Sequence, residues 1–247
     1  QHLTDSEDVQ IKSLTNDQTI LILAGPKARD VLSACSRDDW SKESFPWLSV
    51  RECFIGFAPA TVLGVSFSGE LAYEIHVPNA SLFAAYTALR SAGEAYGLKL
   101  FGARAVDSMR MEKGFLHWKA DLLTEFDPIE TGLERFVDFK KGDFIGKNAL
   151  LERMKSGSKK QLVSLKIDSK SAPAHGGGSL MLDDKVVGTI TSGDWGHRVG
   201  VNLAYAFVDR EFTKLGQKLQ LDLCGDMVKA EVIAPGPYDP EFERIRS

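Results

Sequence analysis

Cysteine is scarce: there are three in 247 residues, at positions 35, 53 and 224, and no C-x-x-C pair. An odd, widely spaced set argues against a disulfide framework. It fits free buried thiols in a reducing, cytoplasmic compartment. Five histidines are scattered without ligand spacing, so no metal site is expected. No apolar run approaches the ~18 residues of a membrane helix, so no span is expected. Cationic excess is also missing: 30 Lys and Arg against 34 Asp and Glu give a net charge of −4. That balance leaves no footprint for nucleic acid or for an anionic membrane surface. The opening "QHLTDSEDVQ" is polar and acidic, unlike a signal peptide. It begins on Gln rather than Met, which reads as a cut or processed start.

The common catalytic signatures are missing as well. The chain has no G-x-S-x-G, no H-E-x-x-H, no Walker loop and no G-x-G-x-x-G after a strand. "HGGGS" (175–179) is rich in glycine but precedes a β-like run. It therefore lacks the helix N-terminus that would cradle a phosphate and reads as an inter-strand loop.

What is present is ordinary globular material, 43% apolar and 26% charged, in a chain long enough for two domains. "ILILAGPKARDVLSAC" (20–35) predicts a strand, a Gly-Pro turn and a helix burying Ala28, Val31 and Leu32. "APATVLGVSFSG" and "AYEIHVP" alternate like two strands joined around Ser68–Glu70. Asn79 is placed to N-cap a helix over 80–97, and 103–114 predicts a second helix closed by Gly114. Residues 136–155 predict a strand, a turn and a helix. "SGSKK" (156–160) is the best linker, and beyond it come six short alternating runs broken by Gly, Asp and Pro. The expectation is an α+β chain: a mixed domain over 1–157, then a small antiparallel β-barrel over 158–247.

Two stretches could carry chemistry. In "VSFSGELAYEIHVP" (65–78), Tyr73, Ile75 and Val77 share one strand face, while Ala72, Glu74 and His76 share the other. Alternation alone leaves Glu74 facing either water or a pocket. In a pocket, its carboxylate could accept two hydrogen bonds from a ligand edge with adjacent N–H donors, such as a pterin, and an aromatic could stack on the ring. In "GARAVDSMRMEKGFLHW" (102–118), Arg104, Asp107 and Met111 fall on one helical face and Val106, Arg110 and Lys113 on the next. That pattern is open between a functional face and a helix tied by surface Asp–Arg pairs. Phe115 and Trp118 follow as default core aromatics.

Taken together, "LAGPKARDVL", "VSFSGELAYEIHVP", "FGARAVDSMRMEKG", "DPIETGLERFVDFKKGDFIGKNALL" and "VVGTITSG…NLAYAFV" resemble the folate-dependent aminomethyltransferases of the glycine cleavage T-protein family, in family order and spacing. "MRMEKGFLHWKADL" and "GPYDP" look closer to the C-terminal folate domains of dimethylglycine and sarcosine dehydrogenases. The resemblance implies a truncated folate-binding aminomethyltransferase domain followed by the barrel, with tetrahydrofolate as cofactor. It implies folate binding by Glu74, Phe67, Trp118 and Phe115, Glu74 being the second Glu of the motif Y-[ST]-G-E-x-[GA]-[YFV]-E. Phe67 stands where tyrosine is usual, keeping the ring without the hydroxyl, and Val106 stands where T-proteins have an arginine. The family stretch that carries the assisting aspartate has no counterpart here, so no catalytic residue is nominated and enzymatic activity stays open.

The implied partners are folate, a small methylated amine and an upstream flavin dehydrogenase domain or subunit. FAD is expected only if such a domain exists. The rival readings are a T-protein proper or a folate-dependent demethylase, and a non-catalytic folate-binding or structural module.

Overall fold

A computed structural model describes residues 6–247, which divide into two compact units. The first comprises the chain up to Ser66, residues Glu70–Leu100 and Glu243–Ser247; the second comprises Phe67–Gly69 and Phe101–Phe242.

The first unit is one antiparallel sheet with two helices on one face. Its strands are β1 (Gln18–Ala24), β2 (Val50–Ile55), β3 (Ala58–Leu63) and β4 (Ala72–Pro78), in the spatial order β1-β4-β3-β2. Alternation decides which face is buried. Leu23, Cys53, Ile55, Ala58, Val62, Tyr73, Ile75 and Val77 join one cluster with Ala28, Val31 and Leu32 of α1 (Ala28–Cys35) and Ala85 and Leu89 of α2 (Leu82–Glu94). The expected faces of β4 and α1 are both present. β2 lacks an expected counterpart: "VRECFI" carries two charges in six residues, and it forms a hairpin with β3 through Gly56 at φ 61°.

Asn79 does not N-cap α2, which follows a single 3-10 turn over Asn79–Ser81. Its side chain instead accepts from the Thr19 hydroxyl at 2.6 Å and donates to the Asn16 carbonyl at 2.8 Å, so its local capping bond is replaced by bonds across to β1 and the residues before it.

The second unit holds α3 (Ala103–Lys113), α4 (Lys147–Ser156) and six strands closed into an antiparallel barrel. These are β5 (Lys160–Ile167), β6 (Ser179–Leu182), β7 (Lys185–Gly196), β8 (Val201–Asp209), β9 (Lys218–Leu223) and β10 (Asp226–Ile233), ordered β10-β5-β8-β7-β6-β9. The expected α+β class with a small barrel is therefore correct.

β8 is buried on both faces. Ala204, Ala206 and Val208 fill the barrel, while Leu203 and Tyr205 pack outside it against Met111 of α3. The strand expected near residue 136 is not formed. Residues Glu134–Phe136 make a 3-10 turn, Phe136 is 73% exposed, and no neighbouring strand takes up its alternating pattern.

Candidate functional site

Glu74 lies in the first unit, on the sheet face opposite the core. Its cross-strand neighbours are Ile22 of β1 and Leu63 of β3; those of His76 are Ile20 and Thr61. Glu74 Oε2 is 3.3 Å from His76 Nε2, with the two side chains 36% and 25% exposed. A solvated face of an antiparallel sheet is ordinarily polar. This one exposes Ile20, Ile22, Val50 and Phe54, so Glu74 is an acid set in apolar surroundings. His76 also lines an open groove of ≈ 1010 Å³ with Glu52, Cys35, Cys53 and Phe57.

The aromatic candidates lie in the second unit. Phe67 and Phe115, 48 positions apart in sequence, stack with their planes 7° apart and centroids 6.3 Å apart. His117 and Phe242 tilt against the pair, His117 at 6.3 Å from Phe67 and Phe242 at 6.1 Å from Phe115. A flat ligand sandwiched between two rings needs about 7 Å between them, twice the ordinary contact distance. A ligand would therefore stack on an outer face of this pair. Both rings are half-buried. Trp118, expected as a core aromatic by default, is 64% exposed on the turn after α3.

The stack rests on a layer of buried charge that α3 supplies. Arg110 is 3% exposed and bonds Asp121 at 2.6 Å; Asp121 is itself fully buried. The Asp121 carboxylate also accepts from the His117 amide at 2.8 Å and from the Thr191 and Ser192 hydroxyls, each at 2.5 Å. Consecutive strand residues normally point to opposite faces; a register irregularity between Ile190 and Ser192 lets both hydroxyls reach one carboxylate. Arg110 then donates to the Phe115 carbonyl at 3.2 Å.

Two residues on, the fully buried Glu112 pairs with Arg198 and accepts from the Arg198 and Val199 amides. Arg198 also donates to the Ser68 carbonyl at 2.9 Å, next to Phe67. Lys113 pairs with Asp239 at 2.9 Å. Charges this deeply buried persist when each is paired and hydrogen-bonded.

A sequence model of the GCVT N-terminal domain matches residues 1–141, and one of the glycine cleavage T-protein C-terminal barrel domain matches residues 160–239. The chain belongs to the glycine cleavage T-protein family. Human dimethylglycine dehydrogenase is 34% identical over 227 residues, 92% of this chain and 26% of that protein. Mouse sarcosine dehydrogenase is 31% identical, with 96% and 27% covered. An aminomethyltransferase of Thermoanaerobacter pseudethanolicus is 28% identical, with 96% and 64% covered. This T-protein-family chain thus spans about a quarter of the dehydrogenases and under two thirds of the aminomethyltransferase. The crystal structure of glycine cleavage system aminomethyltransferase T from Bartonella henselae matches with a TM-score of 0.80 at 22% identity, covering 90% of this chain and 60% of that one; it shares the fold.

Within this T-protein fold, the structure brings Phe67 and Phe115 together. The reading of α3 as a helix tied by surface Asp–Arg pairs needs correction. Asp107, 41% exposed, does sit 3.6 Å from Arg110, but the main partner of Arg110 is the buried Asp121. Asp121, Glu112, Arg198 and Asp239 were missing from the candidates. The available signal was α3 itself, a helix with too few apolar residues to bury a face without taking charges in with them. Among the described residues, no group of three or more His, Cys, Asp or Glu could hold a metal ion, and no helix is long and apolar enough to cross a membrane.

Proposed function

We propose that this chain binds tetrahydrofolate and serves one-carbon transfer from an N-methylated amine, as the folate part of a dimethylglycine or sarcosine dehydrogenase-like protein. The observation that carries this reading is the half-buried Phe67–Phe115 stack, a flat apolar platform at two positions where the T-protein family resemblance expects folate contacts. Glu74 is proposed separately to accept hydrogen bonds from the N–H edge of the pterin. A half-exposed carboxylate among isoleucines has the chemistry for that, since it offers acceptors only. Trp118 is proposed as a further aromatic contact because its indole is exposed.

When bound, tetrahydrofolate supplies the nitrogen that accepts the one-carbon unit. The residues of this chain bind and orient it, and none is assigned to proton transfer. The names of the dehydrogenase relatives support a methylated amine as donor and a dehydrogenase region as the partner; that this region carries FAD rests on the family resemblance alone. The three free cysteines fit a reducing compartment such as the cytoplasm, while the dehydrogenase relatives carry the word mitochondrial in their names.

Titration calorimetry with tetrahydrofolate under anaerobic conditions tests the reading. Saturable binding is expected, weakened by Phe67→Ala by about 1–3 kcal/mol, the range for losing one stacked aromatic platform. A chain that binds no tetrahydrofolate, or binds it equally well as the Ala variant, overturns the reading. In that case the non-catalytic structural module becomes the better account.

A further inference from the structure

We propose that the carboxy-terminal segment 235–242, "GPYDPEF" with the proline before it, is a positioning strap that fixes the Phe67–Phe115 platform. The proposal rests on the folate reading for its functional consequence, and on geometry alone for the positioning. Nothing in that reading explains why a segment beyond the last barrel strand should carry such a pattern, yet Gly236, Tyr238, Asp239 and Phe242 each meet the end of α3 or the groups that hold it.

The first contact is backbone on backbone. Gly114 ends α3 at φ 83°, and a Cβ there would lie 2.9 Å from the Gly236 nitrogen. Gly236 has φ 66°, and a Cβ there would lie 2.7 Å from the Lys113 carbonyl oxygen. Both positions therefore require glycine, for conformation and for clearance. Two residues later, the Tyr238 amide donates to the Glu112 carbonyl at 3.0 Å, taking up one of the acceptors that a helix end leaves unsatisfied. The Tyr238 ring lies 3.7 Å from the Arg198 guanidinium, and Arg198 also holds the Ser68 carbonyl.

Asp239 supplies the anchor. The side chain of Lys113 is 1% exposed and bonds both the carbonyl and the carboxylate of Asp239, itself 8% exposed. The stem of Lys113 runs against Gly69, where a Cβ would come within 3.0 Å of three of its carbons. One lysine thus touches the turn that carries Phe67 and the strap together. Phe242 completes the path: its ring lies 3.8 Å from the Lys113 ammonium and 6.1 Å from the Phe115 ring. Both aromatics of the platform are tied through Lys113 and Glu112, which are buried, and through Arg198, whose side chain is 21% exposed. Asp239, Tyr238 and Phe242 are accordingly positioning residues; none is proposed to touch folate.

The test uses the whole chain labelled with 4-fluorophenylalanine, with Phe67, Phe115 and Phe45 assigned by their single Leu variants. Asp239→Asn keeps the shape and removes the charge. The fluorine resonances of Phe115 and Phe67 should both move, while that of Phe45, in the core of the first unit, stays. A purely structural role would lower the melting temperature and leave the folded-state resonances in place; that result overturns the strap. Should Asp239→Asn fail to fold, Phe242→Leu keeps an apolar group at that place and carries the same expectation.

A second arm measures tetrahydrofolate affinity, expected to fall on the order of ten- to a hundredfold in either variant through misplacement of the platform. If the unmodified chain binds no tetrahydrofolate, the folate reading fails and the resonance arm alone decides the strap. If it binds and the resonances move without a change in affinity, positioning of the ligand site is overturned.

Discussion

The two units bury their interiors by different means. In the first, the cluster around Leu32, Ile55, Ile75 and Val77 buries no charge, its polar side-chain atoms including the unpartnered Tyr73 hydroxyl and Trp40 indole nitrogen, and Arg51 lies over the rings of Trp40 and Phe45. In the second, three of the four residues that close α3 are charged and buried, each tied to a partner outside the helix: Arg110 to Asp121, Glu112 to Arg198 and Lys113 to Asp239. Apolar burial is non-directional and tolerates repacking, whereas a desolvated ion pair persists only in one geometry. The second unit carries the paired aromatics, and charge is what holds them in register. The contrast suggests that the ionic layer serves placement more than stability.

The largest effect that could break this contrast is loss of one ionic partner. Asp121→Ala strands Arg110 without its carboxylate and leaves the Thr191 and Ser192 hydroxyls without theirs. It should cost roughly 3–5 kcal/mol in denaturant unfolding, as for a broken buried pair. In the first unit Leu32→Ala removes only apolar contacts, with an expected cost of about 2–5 kcal/mol. The two should differ in kind. Asp121→Ala should alter the environment of Phe115 in the surviving folded protein, and Leu32→Ala should not. Equal disturbance of Phe115 by both would dissolve the contrast.

Thiol chemistry separates the units next. Burial pushes the Cys35 and Cys53 thiols of the first unit up to about 11, and the nearby Asp38 adds to the effect at Cys53. Their thiolate fraction at pH 8 is then on the order of a thousandth. Cys224 of the second unit is exposed, with Sγ 3.5 Å from His175 Nε2. A disulfide reagent at pH 8 should consume one thiol quickly, absent in Cys224→Ser, and two slowly. The sign for stability follows from linkage. An unfolded chain loses these protons from pH 9 upward and the folded one only near 11, so the first unit's contribution is complete below pH 9 and falls toward 11. Three thiols of equal rate would contradict the burial difference.

Smallest in effect is the division of the chain at 157/158, a proposal that limited trypsin digestion sharpens. Met154, Lys155 and Ser156 are exposed at the end of α4, while Ser158 is buried and accepts from Arg210 at 2.7 Å. The first nick should follow Lys155; primary cleavage within 103–118 would place the boundary elsewhere.

Legibility followed the same contrast. Period-two alternation exposed β4, the barrel strands and the two-sided choice at Glu74, because an apolar core writes itself into spacing. β2 was hidden by Arg51 and Glu52, and the 136–139 run imitated a strand that has no neighbour to pair with. The ionic layer was illegible for a different reason. Arg110 and Asp121 look like surface residues unless the partner is known, and the partners of Glu112 and Lys113 lie 86 and 126 positions away. "GPYDP" was visible as a pattern, but its role as the cover of α3 came only with the fold.

The most direct measurement of the folate account is calorimetric titration of tetrahydrofolate into the protein and its Glu74→Gln variant. Gln places an N–H donor opposite the donors of the pterin while leaving the exposed pair with His76 to lose at most about 1 kcal/mol, so thermal stability should hardly change. Binding should weaken by roughly 1.5–3 kcal/mol, the range for a lost hydrogen bond to a charged group. An unchanged affinity would make Glu74 a strand residue facing water and contradict the account.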